Sequence, residues 1–379
     1  MSDAIRPYRI EVPDPVLEDL KRRLATTRWP ERAPVDDWSQ GTPLEYLQAV
    51  CATWATEYDW RATEARLNRL PQFMTAIDGV DIHFLHLRSQ HADALPLVMT
   101  HGWPGSIIEF LKVVDPLVNP TAHGAAAADA FHLVLPTLPG YGFSAKPAQT
   151  GWGVERIARA WSTLMQRLGY ASYVAQGGDW GASVSTWIGL QDPDHCRGIH
   201  LNMPIVAVDK TTLADLTPLE KSALEGRKHY SDWDSGYSKE QSTRPQTVGY
   251  GLVDSPAGLA AWILEKFYAW TDCDGHPENV VARSALLDNL MLYWLPGTGA
   301  SSARLYWESF ARTKLDPVRV PSGVSLFPKE IFRASRRWVE KRYTNLVYWN
   351  ELPRGGHFAA FELPEVFVRE LRACFRQMR

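Results

Sequence analysis

The chain has 379 residues, 45% of them hydrophobic, with 40 Lys and Arg against 43 Asp and Glu for a formal net charge of −3. That composition supports a large core and excludes a disordered chain, and the balanced charge leaves no electrostatic footprint for nucleic acid or an anionic membrane surface. The 16 Trp, 14 Tyr and 13 Phe supply aromatic surface suited to packing a core or lining a deep apolar pocket.

The four cysteines (Cys51, Cys196, Cys273 and Cys374) are scattered, with no C-x-x-C pair and no His at ligand spacing. Neither a zinc site nor a disulfide framework is expected. The start, MSDAIRPYRIEVPDP, is not a charged leader followed by an apolar stretch, and no later run approaches the roughly 18 apolar residues of a membrane span. The expectation is a cytoplasmic protein without a membrane anchor.

Residues 1–75 read as helical segments and loops. Val16, Leu17, Leu20 and Leu24 share one helical face after a Pro-Asp-Pro start, and further helices are expected over Pro43 to Tyr58 and Trp60 to Asn68. None of these helices carries recognisable chemistry. At Phe73 the pattern changes to a β-hairpin, Phe73 to Ile77 and Val80 to Leu87 about an Asp78-Gly79 turn. Buried strands follow at Leu95 to Thr100, Phe131 to Leu135 and Ser172 to Gln176, with helices between them at Ile107 to Val114 and Val154 to Leu168. This alternation predicts an α/β fold with a mostly parallel central sheet over 76–202.

Residues 203–300 break that rhythm with helical stretches at Leu216 to His229, Ser255 to Trp270 and Ser284 to Trp294. They read as an inserted helical cap. The second part of the core, 301–379, resumes with strands at Ser322 to Phe327 and Leu346 to Trp349 and a last helix from Pro364.

In an open α/β sheet, ligands bind at the carboxyl ends of the strands. Gln176-Gly177-Gly178-Asp179-Trp180-Gly181 joins a strand to a helix with small residues around one reactive side chain, the pattern of a nucleophile elbow. Asp179 occupies the tip. An ionised carboxylate needs no activating base, and as a weak nucleophile it suits alkylating centres such as strained epoxides or alkyl halides. His101-Gly102-Trp103-Pro104-Gly105-Ser106 is the loop after the strand Leu97 to Thr100, and in this architecture that loop supplies one oxyanion-hole N–H, with the residue after the nucleophile supplying the other. These are the N–H groups of Trp103 and Trp180. His357, in Arg354-Gly355-Gly356-His357-Phe358 after the final strand, completes the chain order of nucleophile, acid and His found in α/β-hydrolases.

H-G-W-P-G-S, G-Y-G-F-S at Gly140 to Ser144, G-G-D-W-G and G-G-H-F-A-A-F-E, with the segment Tyr8-Arg9-Ile10 through Arg28-Trp29-Pro30, resemble the α/β-hydrolase-fold epoxide hydrolases. The similarity is to the microsomal-type branch and its fungal and bacterial relatives, in particular to members without an amino-terminal anchor. It spans nearly the whole chain. The resemblance implies an α/β-hydrolase fold with a helical cap and an N-terminal extension. It implies Glu330, in Phe327-Pro328-Lys329-Glu330, as the acid that orients His357, with Asp316 as a local rival. It also implies Tyr237 and Tyr306 of the cap as donors to the epoxide oxygen. The activity implied is hydrolysis of an epoxide to a vicinal diol through an ester on Asp179, without metal or organic cofactor.

The expected substrate is an apolar or aryl epoxide, and a homodimer is left open. Two other readings stand beside this one: a haloalkane dehalogenase-like hydrolase, and a catalytically silent ligand-binding member of the fold. Trp233, Trp262, Trp270 and Trp294 of the cap could line the pocket or pack the cap interior.

Overall fold

The computed structural model describes residues 3–310 and 314–379. Nine strands form one sheet: β1 Arg6–Pro7, β2 Gln72–Ile77, β3 Val80–Leu87, β4 Leu95–Thr100, β5 Phe131–Pro136, β6 Tyr173–Gly177, β7 Cys196–Leu201, β8 Ser322–Leu326 and β9 Leu346–Glu351. Their order is β1-β2-β3-β5-β4-β6-β7-β8-β9. Pairings from β1 to β5 by way of β3 are antiparallel, and all those from β5 to β9 are parallel. The architecture is an α/β-hydrolase fold.

Successive side chains of a strand point to opposite faces, so the central strands feed two cores. Val98 and Val134 pack with Trp161 and Ile188. Leu97, Leu133 and Leu135 pack on the other face with Val113, Leu117, Phe367 and Leu371. The helix Val154–Arg167 buries Ile157, Ala158, Trp161, Leu164 and Met165, a spacing of three and four that turns one stripe inward. The strand order reverses around β4, whose neighbours are β5 and β6. This is the switch point where an α/β sheet leaves a crevice at its carboxyl edge.

The boundaries drawn at 75 and 300 fall inside β2 and inside the helix Gly299–Ser309. That helix packs on the cap helices Gly236–Thr243 and Pro245–Asp254, and the G-Y-G-F-S loop holds it to the core. Ser301 Oγ donates to the Gly140 carbonyl at 2.6 Å, and Tyr141 Oη to the Ser302 carbonyl at 3.1 Å.

The N-terminal helices Asp14–Ala25, Leu44–Thr56 and Trp60–Leu67 clamp the cap. Asp288, buried on the helix Arg283–Trp294, accepts hydrogen bonds from Tyr58 (2.7 Å), Thr63 (2.6 Å) and Arg66 (2.5 Å). No helix among the described residues is long and apolar enough to cross a membrane.

Candidate active site

Asp179 opens the helix Asp179–Gln191 directly after β6, with φ at +48°. A side chain in that left-handed region is strained, and the turn holds because its neighbours are glycines. A Cβ on Gly177 would lie 2.0 Å from the Gly181 carbonyl oxygen, and one on Gly181 would lie 1.9 Å from that of Thr100. The backbone thus presses the carboxylate into the crevice. The Trp103 N–H donates to Asp179 Oδ1 at 2.9 Å. Trp180 takes the next position, in a first helical turn whose N–H groups lack intrahelical acceptors.

His357 reaches the same carboxylate from the loop after β9. Its Nε2 lies 3.3 Å from Asp179 Oδ2, and its Nδ1 lies 2.7 Å from Glu330 Oε1. The Ile331 N–H also donates to that Glu330 oxygen at 2.7 Å. Lys329 and Gly356 pair as a short parallel bridge, which ties the loop of Glu330 to the loop of His357. The His357 N–H donates to the Trp270 carbonyl at 2.8 Å, and a Cβ on Gly356 would come within 2.4 Å of that oxygen. The glycine before His357 is therefore a requirement of close approach. Asp316 is exposed and stands outside the site.

Burial by itself would depress the imidazole of His357. The charges of Glu330 and Asp179 and their hydrogen bonds outweigh it and hold His357 well above its ordinary value.

Both cap tyrosines converge on Asp179. Tyr237 stacks on Trp103 with ring centres 4.9 Å apart and planes 9° from parallel, while Tyr306 stands edge-on to Tyr237 at 5.7 Å and to Trp180 at 4.8 Å. Their phenols are pushed well above 10, chiefly by burial, so they are hydrogen-bond donors at neutral pH. Asp179, Trp180, Tyr237 and Tyr306 line one cavity of about 220 Å³ with Met203, Ile205, Val206, Phe310 and Phe332. Of the four cap tryptophans only Trp270 reaches the site, edge-on to His357 at 5.1 Å. Trp233 is 82% exposed, Trp262 donates to Gln241, and Trp294 is buried under the Arg23 guanidinium. Among the described residues no three His, Cys, Asp or Glu side chains converge to hold a metal ion.

Sequence reasoning missed several residues around this centre. Tyr230 shares a 3.0 Å hydroxyl contact with Tyr237. Lys266, buried, places its ammonium over the Tyr237 ring at 4.6 Å and pairs with Asp234 at 2.6 Å. Glu109 is buried behind Asp179 and His357. Its one signal was its place three residues past H-G-W-P-G-S, where a charge interrupts Ile-Ile-x-Phe.

Comparison with known proteins bears on the family. Residues 5–110 match the family described as epoxide hydrolase N terminus, and residues 96–251 match the alpha/beta hydrolase fold. A Stigmatella aurantiaca protein, itself only provisionally assigned as an epoxide hydrolase, is 57% identical over 99% of this chain and 86% of its own length. Epoxide hydrolase 1 of Oryctolagus cuniculus is 36% identical over 98% of this chain and 88% of its own. The juvenile hormone epoxide hydrolase structure of Bombyx mori superposes with a TM-score of 0.91 at 32% identity, covering 100% of this chain and 95% of that one. The Aspergillus niger epoxide hydrolase structure gives 0.89 at 33% identity, covering 99% and 97%. An aspartate at the elbow, a histidine paired with a glutamate, a tyrosine-lined cavity and these relatives lead to one conclusion: the chain belongs to the epoxide hydrolases of the α/β-hydrolase fold.

Proposed function

We propose that this enzyme opens its epoxide by direct attack of Asp179 and releases the diol by hydrolysing the resulting ester. The supporting observation is the convergence of a carboxylate, an imidazole and two phenols, drawn from core and cap, around one apolar cavity.

Asp179 Oδ2 attacks an oxirane carbon. Tyr237 and Tyr306 donate to the ring oxygen as it becomes an alkoxide, from a buried position where such donors act strongly. Asp179 Oδ1, already held by the Trp103 N–H, becomes the carbonyl oxygen of the ester. Esterification removes the Asp179 charge, one of the influences that holds the His357 imidazole protonated. The alkoxide takes that proton, relayed through the tyrosine hydroxyls, and becomes the first hydroxyl of the diol; the neutral imidazole, oriented by Glu330, then serves as base for the attacking water. The N–H groups of Trp103 and Trp180 stabilise the tetrahedral oxyanion, each worth about 3 kcal/mol of barrier.

The substrate is an apolar or aryl epoxide, in keeping with the aliphatic and aromatic lining of the cavity. Intact mass of a His357→Gln variant under saturating styrene oxide tests the scheme. Protein carrying one added substrate is expected, and an unmodified mass contradicts two-step chemistry.

A further inference from the structure

A second, much smaller cavity of about 20 Å³ lies behind the Asp179 carboxylate and is lined by Asp179, His357, Glu109, Gln176 and Asn202. Its size matches about one water molecule. Gln176 Nε2 donates to Asn202 Oδ1 at 2.8 Å. That leaves Gln176 Oε1, Asn202 Nδ2 and Glu109 Oε1 buried without a protein partner. Three such atoms on residues that line one water-sized space are the usual mark of a structural water site, because each is costly to leave unpaired.

We propose that this cavity is the site of the hydrolytic water and that Glu109 holds that water against the Asp179 ester. The inference rests on the ester reading above. Glu109 Oε1 accepts one hydrogen of the water, and His357 Nε2 takes the other as the water oxygen bonds to Asp179 Cγ. Collapse of the tetrahedral intermediate breaks the bond from Cγ to the alkyl oxygen, and the proton on His357 passes to that departing oxygen. Burial pushes Glu109 up to about 8, so at neutral pH it faces the water as a neutral acid and adds no charge beside Asp179. Its carboxyl group is packed against Gly105, where a Cβ would come 2.5 Å from Oε1, and this fixes the direction of the acceptor.

The test separates the two chemical steps by stopped-flow tryptophan fluorescence and quenched intact mass. In Glu109→Leu, ester formation is expected to stay within a few-fold of wild type while ester hydrolysis slows about tenfold or more. The ester then accumulates, and kcat and KM fall together. Glu109→Gln, which keeps the acceptor oxygen, is expected to recover most of the hydrolysis rate. Asn202→Leu, at another lining position, should show the same imbalance and keeps the test open if Glu109→Leu does not fold. Equal slowing of both steps, or unchanged hydrolysis in the leucine variants, overturns the proposal. Failure of the ester reading is distinct: His357→Gln would then carry no adduct whatever residue occupies position 109.

A separate observation concerns the cavity of about 220 Å³ between Asp179 and the cap tyrosines. Arg227 lines it among apolar side chains. One Nη donates to the Val206 carbonyl at 3.2 Å, while Nε–H is buried without a partner. Among the described residues no carboxylate pairs with it, a costly position for a half-buried cation. We infer that Arg227 receives a carboxylate carried by the substrate, which makes the preferred substrates apolar epoxides with an acidic end.

A homologous series of ω-epoxy fatty acids, compared with the methyl esters, tests this through kcat/KM. The best acid is expected to exceed its ester by about tenfold or more. That preference should collapse in Arg227→Met and largely persist in Arg227→Lys. A ratio near unity in the wild type, or one that Arg227→Met leaves unaltered, overturns the inference and leaves Arg227 as a cap for the Val206 carbonyl. The Tyr237 and Tyr306 variants discussed below test the catalytic use of the cavity independently.

Discussion

Gly102 faces Asp179 so closely that a Cβ at position 102 would lie 2.2 Å from Oδ1 and 2.6 Å from the carboxyl carbon. The same turn aims the Trp103 N–H at that oxygen. One backbone stretch therefore both clears room for the carboxylate and holds it in line. Gly102→Ala should displace the Asp179 side chain and lower single-turnover ring opening by about 100-fold, with little change in far-UV circular dichroism. Near-normal turnover in a folded Gly102→Ala protein would contradict this placement.

The two cap phenols predict a graded loss. Tyr237→Phe and Tyr306→Phe should each slow ester formation by about 10- to 100-fold, with the double variant close to inactive. Tyr230 keeps a partner when Tyr237 loses its hydroxyl, because Ser238 lies 3.1 Å away, so folding should survive. Normal ester formation in the double variant would remove the tyrosines from the reaction.

Lys266 is expected to matter for stability and for ring opening alike. Its ammonium lies between Asp234 and Glu265, each 2.6 Å away, and over the Tyr237 face. Removing it by Lys266→Met leaves Asp234, which also accepts from the Trp270 indole at 2.6 Å, as a half-buried charge without its cation. The expected loss is on the order of 3 kcal/mol in urea unfolding, together with slower ester formation as Tyr237 loses the cation on its ring. An unchanged unfolding midpoint would place this cluster outside the folding energetics.

The buried carboxyl of Glu109 makes stability fall as pH rises. Its value is raised from 4.5 to about 8 in the fold, so between those values the unfolded chain releases a proton that the native state keeps. Unfolding is favoured progressively across that window, by an amount on the order of 3 kcal/mol between pH 5 and 8. Asp179 and His357 are the charged groups facing it. Glu109→Gln should therefore be more stable than wild type at pH 8, with the gap closing toward pH 5. Thermal melts at the two pH values check the sign, and a gap that widens toward pH 5 contradicts it.

The strands that carry the core were legible in the sequence because parallel strands buried on both faces are continuous apolar runs, as in Leu97-Val98-Met99 and Leu133-Val134-Leu135. β7 was not, since Arg197 and His200 interrupt its run. His200 is buried all the same, 2.9 Å from Ser325. Asp179 and His357 could be read because a tight turn and a close backbone approach force glycines beside them. Lys266, Arg227 and Glu109 could not. A charge on a helix reads as solvent-facing, and only tertiary packing covers these three, Lys266 and Glu109 fully and Arg227 in part. The N-terminal helices read as chemically silent, yet Tyr58, Thr63 and Arg66 fasten them to the cap through Asp288, a contact between distant segments that no local pattern announces.

The origin of the oxygen that first enters the opened ring tests the account most directly. Enzyme in excess over substrate is taken through a single turnover in water enriched in heavy oxygen, and both diol and protein are weighed. The account predicts an unlabelled diol and one heavy oxygen on the peptide that contains Asp179. A labelled diol with unlabelled protein would mean that water opens the ring, and it would contradict the nucleophilic role of Asp179.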